Sequence, residues 1–443
     1  MDSQHVVLVI GGGISGAEAA FQFARRGIRC VVIDQNERPY GKIEDGLPRW
    51  HVNLRLQEMR KIDEKLSRPE IHFVPRTKLG QDVSLAEFLS WGASAVVLAV
   101  GAWRDRPLPL SGIDRYVGRG LAYQNPFVYW FNHYPERDYR GPRFEISDDA
   151  LVIGGGLASL DVVKILMLET VTRALADRGQ ETDLYDLERL GIARVLGERG
   201  LTLADLGLRG CTLVYRRQVD EMPVVNPPED ATPEQIERTR ATRRKLLQKF
   251  SEKYLFHFRG QCTPVGYLTD EDSLKGLRLA ATEQRRGKVV PVKGAEEVVP
   301  SRLVVSSIGS IPEPIEGIPI RGEVYHVRDP RTGELEGMEG IFAVGNAVTG
   351  KGNIAVSQKH GRIVSQHVLE NYLKGSSSGY EEVLDGSEAE AGSRASAVAD
   401  ILAGRSLLSG ERVARILERV RDLQGRAGYR GNYREYIATV AAS

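Results

Sequence analysis

Cysteine is scarce. The 443 residues hold three, Cys30, Cys211 and Cys262, and none belongs to a Cys-x-x-Cys pair. That excludes a disulfide scaffold, a zinc site or iron–sulfur cluster held by cysteines, and a redox-active dithiol within the chain. Cys30 and Cys211 fall in apolar, strand-like runs and are expected to be buried as small hydrophobes. No apolar run approaches the ~18 residues of a membrane span. The N-terminus enters a strand without the basic flank of a signal peptide. Neither sign of charge dominates: 60 Lys and Arg meet 59 Asp and Glu, a net charge of +1. The chain as a whole is therefore not built for nucleic acid, and any steering must come from a local patch. A reducing cytoplasm fits these absences.

Glycine is plentiful: 47 of 443 residues, roughly 11% against an average near 7%. Tight turns and close backbone–ligand approach account for such an excess where no Gly-X-Y period exists. One use is explicit. "VVLVI" reads as a buried parallel strand, Gly11-x-Gly13-x-x-Gly16 follows at once, and "SGAEAAFQFARRG" is helical. Gly11 allows the turn, Gly13 lets a pyrophosphate approach the backbone, and Gly16 lets helix and strand pack closely. The helix N-terminus offers free N–H groups to phosphate. A second strand, "RCVVID", ends in Asp34, placed for a ribose hydroxyl.

The pattern returns as "LVIGGGLASLDVVKIL", with Gly154-x-Gly156-x-x-Ser159. Serine at the third position is expected to hold the helix slightly further from its strand. The next apolar strand, "CTLVY", ends in Arg216-Arg217 rather than in an acid, after an insertion of mostly amphipathic helix from Thr170 to Gly210. Arginine can bind a 2′-phosphate in bidentate fashion, which favours NADPH over NADH; the alternative is a solvated strand end. Two dinucleotide sites in one chain suit one resident cofactor, FAD, and one visitor, a nicotinamide. The cofactors carry such chemistry, so no side-chain nucleophile is called for.

These motifs resemble the adrenodoxin-type ferredoxin–NADP reductases, with features of the glutamate synthase small subunit, from about Val6 to Leu373. "RPYGKIEDGLPRWH" is similar to the family's flavin-passing segment, which implies Gly41, Gly46 and His51 as flavin contacts. "VVLAVGAW" resembles the strand that returns to FAD at Gly101. "FVYWFNHYPE" resembles the segment before the second nucleotide unit, and Trp130 in it, like His51, either touches flavin or packs nearby. "VYRRQVDEMP" resembles the glutamate synthase form. "VVSSIGSIPEPI" and "GIFAVGNAVTGKGNIAVSQKHG" resemble the closing strands and a flavin-contacting helix, which implies Gly345, Asn346 and a helix start near Ile354 at the flavin. This chain lacks the family's frequent cysteine clusters, carries Glu44 where an arginine is common, and has Asn346 after the closing glycine. Gly345 to Lys351 also reads G-x-x-x-x-G-K, but Gly352 supplies no magnesium-binding hydroxyl, so ATP is not the expected ligand.

The resemblance implies an α/β fold with two Rossmann-like domains. Residues 1–145 and 305–373 form an FAD domain, 146–304 an inserted NADP domain whose sheet includes "YLFHFRG" and "GLRLAAT", and 380–443 a helical C-terminal extension. "GSSSG", Gly375 to Gly379, reads as a flexible linker. In the extension Val413, Ile416, Val420 and Leu423 form one apolar stripe, to be packed on the body, on a sister subunit in a homo-oligomer, or on a partner. The segment "PEQIERTRATRRKLLQKFSEKY" carries seven basic residues between Arg238 and Lys253. It is either a solvated helix face or a landing patch for an acidic ferredoxin. The implied activity is hydride transfer from NADPH to flavin N5 and electron delivery to an outside acceptor. The implied partner is a ferredoxin or a larger enzyme subunit; the alternative is a protein that binds FAD and NADPH without catalysis.

Overall fold

The computed structural model describes residues 4–227, 230–349 and 378–442. Val6–Ile10 is wholly buried because it lies inside a seven-stranded sheet. The strand order is Val327–Asp329, Glu334–Leu335, Ile341–Ala343, Ala95–Leu98, Val6–Ile10, Arg29–Ile33, Ile71–Val74. The last five are parallel; the first two join antiparallel. Val7, Val9, Cys30, Val32 and Phe73 pack on one face, and Val6, Leu8, Val31, Ile33 and Leu98 on the other. That is the period-two alternation of a sheet covered on both sides. From Val6–Ile10 the chain first builds outward on one side, then returns to add Ala95–Leu98 on the other. A crevice opens at the carboxyl ends where the order reverses.

The second sheet repeats the plan. Leu121–Tyr123, Val304–Ser307, Leu151–Gly154, Thr212–Val214 and His257–Arg259 lie side by side, all parallel. Helices Gln124–His133, Leu157–Ala176 and Pro233–Tyr254 contribute to the core on one face. The other face is covered by a three-stranded antiparallel sheet, Cys262–Asp270, Ser273–Arg285 and Lys288–Pro300, which sets Leu274, Leu277 and Leu279 against Leu151, Ile153 and Val304. So "YLFHFRG" does supply a strand of the parallel sheet, whereas "GLRLAAT" belongs to this separate cover. Its alternation places one face on the core and the other in solvent, as an antiparallel sheet allows.

Strand pairing also bears on the domain division. Leu121–Tyr123 and Val304–Ser307 belong to the second sheet, so boundaries at 145/146 and 304/305 cut through it. The chain leaves the first sheet at Arg104–Asp105 and returns at Ser310–Ile311, and these two crossings pair antiparallel. We propose them as the domain boundaries.

The extension forms three helices: Ser378–Ala403, Gly410–Arg426 and Tyr433–Ala442. The first sets Ala391, Ala395, Val398 and Leu402 against Ala17, Ala20 and Phe23 of the helix Ile14–Ala24. The second buries Val413, Ile416, Val420 and Leu423 against the opposite face of the sheet. Tyr429, Tyr433 and Tyr436 surround Phe73. The extension thus packs back on its own body, and its stripe is spent there. Of the expected linker, Ser378 and Gly379 already lie in helix; the rest lies outside the described residues.

Candidate functional site

The first glycine turn is built by exclusion. Gly11 has φ +101°, and a Cβ on it would stand 2.5 Å from the Ala99 carbonyl oxygen. A Cβ on Gly16 would stand 1.8 Å from the Gly11 carbonyl oxygen. Gly13 differs: a Cβ there would meet nothing closer than the Pro39 carbonyl oxygen at 4.0 Å. It faces a crevice of about 1130 Å³, open mouth included, lined by Gly11, Gly13, Asp34, Gly41, Gly101 and Asn346 among others. Gly13 is also the N-cap of the helix Ile14–Ala24 and places no side chain over its N–H groups.

Asp34 does more than line this crevice. Its Oδ2 accepts from the Gly12 N–H at 2.6 Å and its Oδ1 from the Asn36 N–H at 2.8 Å. Burial is the main cause that pushes its carboxyl up, to about 6, against the pull of those two donors. Asn346 has a buried Oδ1 with no hydrogen-bond donor among the described residues, an acceptor left open at the crevice wall. Gly345 has φ +71°, and its N–H donates to Glu390 Oε2 of the extension at 2.8 Å. The extension reaches the crevice itself through Leu384 and Ser387.

Three residues named from the sequence lie outside this lining. Gly46 ends the short helix Lys42–Asp45 and does not line the crevice. His51 starts the helix Val52–Leu66, with Nε2 3.8 Å from Asp161 Oδ1 and its ring 5.4 Å from that of Tyr380, at the seam between the two sheets' helices. Trp130 stacks on Tyr134 at 4.9 Å within the second core. Ile354 lies outside the described residues. A crevice residue that the motif reading missed is Lys42. It sits two positions before Glu44, which stands at the place of the family's arginine and pairs with Arg38.

At the second turn, a Cβ on Gly154 would stand 2.2 Å from Ser159 Oγ, and a Cβ on Gly155 2.2 Å from the Tyr215 ring. Gly156 has nothing within 4 Å and caps the helix Leu157–Ala176 without a side chain. Ser159 Oγ donates to the Ser307 carbonyl at 3.0 Å. The serine therefore ties the helix to the neighbouring strand rather than merely spacing it. Arg216 is exposed, with no side-chain partner among the described residues, whereas Arg217 Nη1 pairs with Glu221 Oε1 at 3.0 Å.

Three of the seven basic residues in the helix pair with acids. Arg238 pairs with Glu234, Arg240 with Glu237, and Arg244 with both Asp220 and Glu237. Arg243 donates to the carbonyls of Val225 and Asp220.

Fold and turns define a class: a chain with two Rossmann-like units, the second inserted in the first. Residues 9–54 match the model of the NAD(P)-binding Rossmann-like domain. Over most of its length the chain is similar to pyridine-nucleotide reductases of the type its motifs resemble. The mitochondrial NADPH:adrenodoxin oxidoreductase of Arabidopsis thaliana is 26% identical over 73% of this chain and 71% of its own. The NADPH-ferredoxin reductase FprA of Mycobacterium leprae is 26% identical over 83% and 84%. The glutamate synthase [NADPH] small chain of Escherichia coli is 22% identical over 83% and 68%. In fold the chain is similar to FprA from Mycobacterium tuberculosis in complex with NADPH, with a TM-score of 0.63 at 19% identity, covering 95% of this chain and 91% of that one. Among the described residues no helix is long and apolar enough to cross a membrane.

Proposed function

We propose that this protein is a flavin-dependent reductase that takes hydride from NADPH and passes electrons to an external acceptor of the ferredoxin type. The observation that carries the reading is the crevice at Gly13, where a glycine with no neighbour to avoid stands between the ribose acid Asp34 and the open acceptor of Asn346. These residues fit FAD. The N–H groups of the helix Ile14–Ala24 would face its pyrophosphate, and Asp34 would hold its ribose while fixing the turn. Bound FAD supplies the redox chemistry, a two-electron hydride acceptor that can release electrons singly. At the second turn, Gly156 leaves its helix terminus open for the NADPH pyrophosphate, and the unpartnered Arg216 is available for the 2′-phosphate.

The three cysteines are buried and unpaired, and burial pushes the thiols of Cys30 and Cys211 up. They are poor thiolates, so the next electron carrier lies outside the chain. For an acidic partner the basic helix offers chiefly Lys245 and Lys249, a smaller patch than its composition suggests. A cytoplasmic location belongs to this proposal. The likeness to a glutamate synthase small chain supports a second reading, an NADPH-oxidising subunit of a larger enzyme, which stable co-purification with a large partner would favour.

The test is an anaerobic NADPH titration of the purified protein. Stoichiometric FAD, bleached by NADPH and reoxidised by a ferredoxin, is expected. A protein without flavin, or a flavin that NADPH leaves oxidised, overturns the proposal.

A further inference from the structure

The first crevice holds a charge that the glycine motif does not explain. Lys42 lines it directly after Gly41. Its Nζ donates to Asn125 Oδ1 at 3.2 Å and Ser310 Oγ at 3.1 Å, and sits 5.6 Å from the centre of the Trp103 ring. Both acceptors are neutral, and Asp105 acts on the ammonium through space rather than as a hydrogen-bond partner. An ammonium has three donors, and these contacts commit two.

Its aim is fixed from both domain crossings. Asn125 Nδ2 donates to the Trp103 carbonyl at 2.9 Å and to Ser310 Oγ at 3.1 Å, and its N–H donates to Asp105 Oδ1 at 3.2 Å. With the amide nitrogen held there, Asn125 Oδ1 must face Lys42. Trp103 and Asp105 belong to the outgoing crossing and Ser310 to the returning one. Asp34 closes the strand on one side of Val6–Ile10, and Gly101 and Trp103 follow the strand on the other. Lys42 contacts that second side, so it faces the end of the dinucleotide opposite the ribose acid.

We infer that the Lys42 ammonium raises the reduction potential of a flavin bound in this crevice. The inference rests on the FAD reading above. Reduction adds electron density to the ring, and a fixed cation beside it, with no carboxylate hydrogen-bonded to it among the described residues, favours the reduced form. Burial lowers the proton affinity of Lys42 to about 8, so the side chain remains mostly charged at neutral pH.

The experiment measures the two-electron midpoint potential of the bound flavin by equilibration with reference dyes, together with flavin content and melting temperature, in wild type, K42M, K42Q and K42R. The expected result is stoichiometric flavin throughout. K42M and K42Q should lower the potential by about 30 mV or more, a tenfold change in the reduced-to-oxidised ratio, with K42R closer to wild type. An unchanged potential in flavin-loaded K42M or K42Q overturns the inference and leaves Lys42 a pin between the crossings; the second variant serves where the first does not fold. A wild-type protein without flavin fails the FAD reading itself, a separate outcome visible before any variant is made.

Discussion

In the first glycine turn, the third position is empty because an atom there would stand 1.8 Å from the Gly11 carbonyl oxygen. In the second, the same place holds the hydroxyl of Ser159, bonded 3.0 Å away to the Ser307 carbonyl. Both turns bring a helix onto a strand beside the strand-order reversal. One does it by leaving out a side chain and the other by bonding one. The strands that follow also differ: one ends in the buried acid Asp34, the other in Arg216 and Arg217. The geometry of a dinucleotide turn is thus separable from the atoms that close it, and the two sites are expected to respond differently to matched changes.

The largest contrast lies at the third position. Gly16→Ala forces the helix Ile14–Ala24 away from its strand, at a cost of about 3 kcal/mol or more for overpacking, with loss of flavin. Ser159→Ala removes a hydrogen bond worth ~1 kcal/mol and leaves the turn standing. Chemical denaturation of both variants checks this, and equal losses would remove the distinction.

Next come the strand ends. Arg216→Ala should weaken NADPH binding roughly 10- to 100-fold, the equivalent of ~1.5–3 kcal/mol for a charge-assisted contact, with little change for NADH. Arg217→Ala should cost less, since that guanidinium is already engaged by Glu221. Titration of each nucleotide against each variant decides, and equal effects on both nucleotides would make the arginines structural.

The smallest effect is one of pH, and it belongs to the first turn alone. Asp34 is raised from 3.8 to about 6. Between those values the folded carboxyl keeps a proton that the unfolded chain has released. Its contribution to stability is therefore full below about pH 4 and lost as pH rises through about 6. The difference between wild type and Asp34→Asn, followed by thermal unfolding of flavin-free protein from pH 4 to 7, should show that slope. A flat difference would show that Asp34 is not held protonated.

Much of this was legible in sequence because each glycine turn joins a spacing to a period: a buried strand, three small residues and a helix. The two sheets follow from it. What sequence could not carry was position across the fold. Lys42 is one lysine among many until Asn125 and Ser310, which lie far along the chain, fix its direction. His51 fits a family pattern, yet here its ring meets Asp161 and Tyr380, from another domain and the extension. The basic helix reads as a patch by count, but Asp220 lies outside it, and Glu234 and Glu237 are spaced to pair within it. The "GLRLAAT" run has strand composition, and composition does not say which sheet a strand joins.

The extension bears on the order in which the molecule is made. Residues of the helix Gly410–Arg426 cover one face of the first sheet and those of Ser378–Ala403 pack over the other, and even Gln4 bonds to the Leu408 carbonyl. The second unit, between the crossings at 104–105 and 310–311, has its strands and cover in one continuous stretch. On the ribosome, where domains fold as they emerge, the inserted unit can close while the unit around it still lacks the cover of the extension. Strands made before the insert wait for a cover made after it, and a chain stalled before residue 378 would present a finished insert on an unfinished host.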